Sequence, residues 1–178
     1  MSYKYRKCNT EEDFEHFSEF YVKRRHHTNP PLGLSYILTD ISLLIQFGHI
    51  ILGSNLKGEP IGFVSYFYGT PQNDFEDQET LLINVAMVDP KYRNSRAFIR
   101  GFQFLIDSVL ESEYSIDYVT FYAFQDDLFL QKLYSQFATV ITEQDHPLKK
   151  QDVYRVSFKD LCAYLKPFRR ERSVSYDL

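Results

Sequence analysis

Residues 81–110 read LLINVAMVDPKYRNSRAFIRGFQFLIDSVL, and the fold turns on how the periodicity changes within this stretch. Leu81 to Val88 is a near-continuous apolar run broken only by Asn84, the pattern of a strand covered on both faces. Pro90 stops it. From Phe98 onward the apolar residues recur at Phe98, Phe102, Leu105, Ile106 and Val109, the spacing of one helical face. A buried strand therefore runs through a short turn into an amphipathic helix, with Asn94 or Ser95 as its capping candidates. The turn carries Lys91, Arg93 and Arg96, with Arg100 one turn further on. Unsatisfied N–H groups in a helix's first turn and the positive end of its dipole attract an anion. This junction is the chain's best phosphate candidate.

The string Val88-Asp89-Pro90-Lys91-Tyr92-Arg93, followed by a helix, resembles the strand-to-helix core of the GNAT superfamily. These acyltransferases hold the coenzyme A pyrophosphate in a turn of pattern Gln/Arg-x-x-Gly-x-Gly/Ala. Here Arg93 takes the leading position, and Arg96 and Phe98 stand where the pattern has its two glycines. Glycine suits such a turn because the backbone must approach the phosphates closely and can adopt positive φ. Arg96 has two readings: its side chain crowds that approach, or its guanidinium contacts the phosphates in place of lost backbone donors. The resemblance assigns coenzyme A contacts to Arg93, Asn94, Ser95, Arg96, Ala97 and Phe98. It also implies a bulge in the fourth strand that leaves backbone groups free to align the thioester and the pantetheine arm, here at Ala86, Met87 and Val88.

A second part of the resemblance lies downstream. Tyr118 to Phe124 reads as a strand, and Asp127 to Tyr134 then resembles the family's Asn-x-x-Ala-x-x-Leu-Tyr helix opening. Asp127 replaces the Asn, Leu130 replaces the Ala, and Leu133-Tyr134 match. The Gly-Phe that follows this helix in the family is replaced by Ala138-Thr139. In the family the tyrosine protonates the departing coenzyme A thiolate, so the resemblance makes Tyr134 the catalytic acid. The competing reading is a core tyrosine, since Leu130, Leu133 and Phe137 flank it at helical spacing.

Around this centre the remaining elements fall into order. Tyr3 to Lys7 reads as a first strand, and Thr10-Glu11-Glu12-Asp13 opens a helix with Thr10 as cap and an acidic first turn. That helix ends in Lys23-Arg24-Arg25-His26-His27, where cations complement the dipole; a solvated helix end is favoured over a phosphate site. Asn29-Pro30-Pro31-Leu32-Gly33 is a break, followed by a helix over 35–47 and strands over 49–54 and 61–68. The acidic stretch from Thr70 to Glu79 reads as a solvated loop, of interest only if it overhangs a pocket. A helix over 127–137 and strands over 139–143 and 153–158 complete the domain. The order β-α-α-β-β-β-α-β-α-β-β is that of the GNAT fold: an α/β protein with a central mixed, mostly antiparallel sheet of about seven strands flanked by about four helices.

Bulk properties bound the function. At 178 residues and 44% hydrophobic content the chain holds one full core, so residues 1–168 read as a single domain and the charged stretch 169–178 as a loose tail. A net charge of −4 argues against a nucleic-acid partner. Cys8 and Cys162 show neither metal nor disulfide spacing, no metal is expected, and no run of 18 apolar residues calls for a membrane. A soluble, cytoplasmic protein is expected. Phosphate-loop, dinucleotide-turn, nucleophile-elbow and zinc-helix motifs are all missing. For the general base, Glu79, Asn84, Tyr66, Tyr68 and Tyr122 are candidates by strand position, and the role stays unassigned. The resemblance implies an N-acetyltransferase that takes its acetyl group from acetyl-coenzyme A and passes it to a primary amine of a small-molecule or protein acceptor, and it leaves room for a homodimer. The rival class is a non-catalytic GNAT-like interaction or regulatory module.

Overall fold

A computed structural model describes residues 3–93 and 96–168. Its strands are β1 (Lys4–Lys7), β2 (His49–Ser54), β3 (Pro60–Tyr68), β4 (Thr80–Val88), β5 (Tyr118–Phe124), β6 (Thr139–Gln144) and β7 (Gln151–Ser157). The helices are α1 (Glu11–Arg24), α2 (Leu34–Phe47), α3 (Ala97–Leu110), α4 (Leu128–Tyr134) and α5 (Phe158–Leu165). All seven strands join one sheet in the order β1-β2-β3-β4-β5-β7-β6. Among the described residues only β4 and β5 pair in parallel. That pairing needs a crossover, and α3 supplies it.

Local chemistry sets the helix ends. The Thr10 hydroxyl accepts the N–H of Asp13 and starts α1, as the sequence predicts. α5 is one helix more than the four expected. The Ser157 hydroxyl accepts the Asp160 N–H at 3.0 Å, and Leu161 and Leu165 bury on one face. The Ser-x-x-Asp signal was present, directly behind a strand whose apolar run masks it.

Each face of the sheet carries its own core. On one side Phe17 and Tyr21 of α1 and Ile37 and Leu44 of α2 pack against Ile50, Leu52, Phe63 and Met87. On the other, Phe102, Leu105 and Ile106 of α3, Tyr134 of α4 and Leu161 of α5 pack against Ile51, Val64, Leu81, Ile83, Val119 and Phe121. Each fully buried side chain of this size contributes about 1.5–3 kcal/mol relative to exposure.

β4 serves both cores through one irregularity. Ser65 of β3 faces Val85 and Tyr66 faces Ile83, so Asn84 is an extra, unpaired residue: a β-bulge. Leu81 and Ile83 point into the α3 side, whereas Val85 and Met87 point into the α1–α2 side. Residues two apart share a face, so without the bulge all four would face the same way. The Ser65 hydroxyl, fully buried, accepts the Val85 N–H at 3.2 Å and satisfies the group that the bulge releases.

Candidate active site

The bulge coincides with a splay. β4 pairs with β5 only from Thr80↔Tyr118 to Ile83↔Phe121, although β4 continues to Val88 and β5 to Phe124. β3 stays paired with β4 as far as Gly62↔Val88. Gly62 is required there, because a Cβ would meet the Met87 carbonyl oxygen at 2.5 Å. From Asn84 onward, one edge of β4 is therefore held and the other is open. A cleft of about 370 Å³ fills the gap, lined by Asn84 to Val88 on one arm and Tyr122 to Phe124 on the other.

At one part of the cleft two basic segments meet. Arg93, in the turn after β4, donates to the His27 carbonyl at 3.0 Å and lies over the Phe129 ring at 5.4 Å. His27 and Phe129 line the cleft with it. Arg24, at the end of α1, pairs with Asp89 at 2.6 Å, and Asp89 also accepts the Lys91 N–H. The basic end of α1 is thus docked on the turn, a convergence invisible in sequence because 65 residues separate Arg24 from Asp89. The α1–α2 connection is tied to both arms, since Asn29 also donates to the Asp126 carbonyl after β5 at 2.8 Å.

The sequence-predicted residues divide. Ala86, Met87, Val88, Arg93 and Tyr134 line the cleft. Ala97 and Phe98 instead line a smaller cavity behind β4. The Phe98 ring stacks on Phe102 at 4.6 Å, and the Ala97 carbonyl accepts the Tyr5 hydroxyl. Arg96 is exposed and immediately precedes α3 at φ −78°, so this position makes no demand for glycine's left-handed freedom. Asn94 and Ser95 lie outside the described residues, as does the stretch 169–178.

Tyr134 is the last residue of α4. Its ring is 2% exposed and packs on Phe121 at 4.8 Å, yet it borders the cleft. Burial, helped by the charge of Asp127, raises its pKa well above the usual phenol value, so it remains a proton donor. Asp127 caps α4 by accepting the Leu130 N–H at 3.1 Å. Tyr122 lines the cleft and donates to Gln72, whereas Tyr66 and Tyr68 cluster with His49 and Tyr114 away from it. Glu79 is exposed at the far end of β4. The acidic loop turns inward on itself, with Asp77 accepting from Thr70 and Asn73. No group of residues suited to a metal occurs among the described residues, and no helix there is long and apolar enough to cross a membrane.

No protein-family model and no curated protein sequence matches this chain. Solved structures do match. An acetyltransferase of the GNAT family from Staphylococcus aureus Mu50 superposes with a TM-score of 0.69 at 16% identity, over 88% of this chain and 99% of that one. The ribosomal-protein-S5-alanine acetyltransferase of Vibrio fischeri gives 0.65 at 13%, over 89% and 94%. A chain of the NatC complex bound to Gag peptide and coenzyme A gives 0.63 at 14%, over 88% and 99%. The chain has the GNAT fold.

Proposed function

We propose that the protein is an acetyl-coenzyme A-dependent N-acetyltransferase that acts on a primary amine of a small-molecule or protein acceptor. The observation that carries this reading is the splay of β4 from β5 beyond Ile83↔Phe121. An open strand edge inside a cleft offers alternating N–H and C=O groups, which suit an extended ligand with amides of its own. The pantetheine arm is such a ligand, and Ala86, Met87 and Val88 are the residues it would pair with. The diphosphate would then reach Arg93 and the turn before α3, where cationic side chains and helix N–H groups favour an anion.

In the reaction a neutral amine attacks the thioester carbonyl, the C–N bond forms, and the C–S bond breaks to release a thiolate. In this reading the phenol of Tyr134 donates a hydrogen bond to that thiolate. Its raised pKa lies above a thiol's value of about 8.5, so full proton transfer is uphill and the phenol acts chiefly as donor. The final proton comes from solvent.

Calorimetric titration tests the reading. Acetyl-coenzyme A should bind at one site, and Arg93→Ala should weaken it by about 1–3 kcal/mol through loss of a charge-assisted contact. Equal affinity of both proteins would remove Arg93 from the site, and no binding to the wild type would remove the function. Binding without transfer to any amine would favour the non-catalytic module, the reading that Arg96 and Phe98 at the glycine positions support.

A further inference from the structure

One carboxylate bonded to cleft-lining residues has no part in the account so far. Asp40, on α2, is flanked by three residues that line the cleft: Tyr21 of α1, Tyr36 one turn earlier on α2, and Asn84 of the β4 bulge. Tyr21 donates its hydroxyl to Asp40 Oδ2 at 2.9 Å, and Asn84 donates Nδ2 to Oδ1 at 3.4 Å. These donors fill two of the roughly four acceptor positions of an ionised carboxylate. No lysine, arginine or histidine pairs with Asp40 among the described residues. A half-buried carboxylate that lacks a counter-ion is costly to keep, and the charge it lacks is a cation. The Asn84 amide, with its nitrogen turned to Asp40, leaves its carbonyl oxygen as a second acceptor at the bulge.

Building on the acyl-transfer reading, we propose that Asp40 and the Asn84 carbonyl oxygen seat the acceptor as a primary alkylammonium ion and that Asp40 removes its first proton. One N–H bond of the ammonium breaks and an O–H bond forms on Asp40. The freed lone pair then attacks the thioester, the C–S electrons leave on sulfur, and the second amine proton ends on the thiol by way of solvent. Asp40 returns its proton to solvent after turnover. Burial raises the pKa of Asp40, only partly offset by the bonds from Tyr21 and Asn84, and this strengthens it as a base. The titratable groups facing it are the phenols of Tyr21 and Tyr36, both raised by burial and then by the charge of Asp40, so both stay neutral.

The test uses the full chain, acetyl-coenzyme A and n-butylamine, with thiol release as the readout. Asp40→Asn should lower kcat/KM at neutral pH by about 10²-fold or more, the range of a lost general base. The deficit should shrink as pH rises and free amine accumulates, with acetyl-coenzyme A affinity unchanged. Asp40→Asn should also melt higher than the wild type at neutral pH, because it removes a charge that burial disfavours, and the gain should vanish in acid where Asp40 is protonated. Asn84→Ala, a second variant, should raise KM for n-butylamine and leave acetyl-coenzyme A binding intact. Wild-type transfer by Asp40→Asn, or a loss equal at every pH and accompanied by a lower melting temperature, would overturn the seat and make Asp40 structural. So would a wild type that binds acetyl-coenzyme A but neither acetylates n-butylamine nor gains stability from n-butylammonium chloride over equal sodium chloride. Absence of acetyl-coenzyme A binding is a separate outcome, and it brings down the acyl-transfer reading together with the seat.

Discussion

At Tyr134 the packing role and the proposed catalytic role fall on different parts of one side chain, and one substitution separates them. Its ring belongs to the core with Phe121 and Tyr154, and its hydroxyl is the part that the proposed chemistry needs. Tyr134→Phe keeps the ring, so acetyl-coenzyme A affinity and the melting temperature should change little. If the phenol stabilises the departing thiolate, kcat should fall about 10²-fold, since a hydrogen bond to a charged group and a positioned donor both operate at that scale. Steady-state kinetics on any acetylated amine decides it: an unchanged kcat makes Tyr134 purely a packing residue. Tyr134 could be singled out from the sequence because the Leu-Tyr pair keeps its distance from the preceding strand. Asp40 could not, because its setting arises from contacts 19 and 44 residues away in sequence, to Tyr21 and Asn84. No local pattern distinguishes it from a solvated aspartate on a helix.

The elements explain why most of the fold could be read and where reading stopped. β2 and β5 occur at the expected residues, and β3, β4 and α3 begin one residue early, because alternation and helical spacing are local consequences of burial. α4 ends at Tyr134, three residues short of the expected 137, where Ser135 closes it and the chain turns toward β6. Asn84 was the visible interruption in an apolar run, but nothing in that run states that the strand would open from β5 there. The partner of the bulge, Ser65, lies on another strand, and its burial gives it a measurable role. Ser65→Ala leaves the Val85 N–H without its acceptor in a dry position, which costs about 1–3 kcal/mol. Urea unfolding should show that loss together with weaker acetyl-coenzyme A binding, because the open arm from Asn84 to Val88 is what the hydroxyl steadies. Loss of stability with full ligand affinity would separate the bulge from the site.

Across the whole molecule, buried and half-buried carboxylates respond to acid in opposite directions. Burial alone would raise the pKa values of Asp13, Asp77 and Asp89, but hydrogen bonds outweigh it in each case and the values are lowered. Asp13 receives Arg6 and the Asn9 N–H, Asp77 receives Thr70 and Asn73, and Asp89 receives the Lys91 N–H and Arg24. A lowered folded-state pKa means stability that is fully present above the unfolded value of about 3.9 and lost as pH falls through the folded value. Asp40 behaves the other way. Its raised pKa means that the native state binds a proton more readily than the unfolded chain, so stability rises as pH falls through the folded Asp40 value and stops rising below about 3.9. Burial lowers the pKa values of His49 and His146, which cost stability as pH falls from neutral, so the Asp40 effect is read as the difference in urea midpoint between Asp40→Asn and the wild type. Asp40→Asn should exceed the wild type at neutral pH by a margin that closes as pH falls toward about 4, whereas Asp89→Asn should lie below the wild type at neutral pH and close on it in acid. A margin absent at neutral pH would mean that Asp40 is not held as a disfavoured charge, and the cation-seeking carboxylate would lose its physical basis.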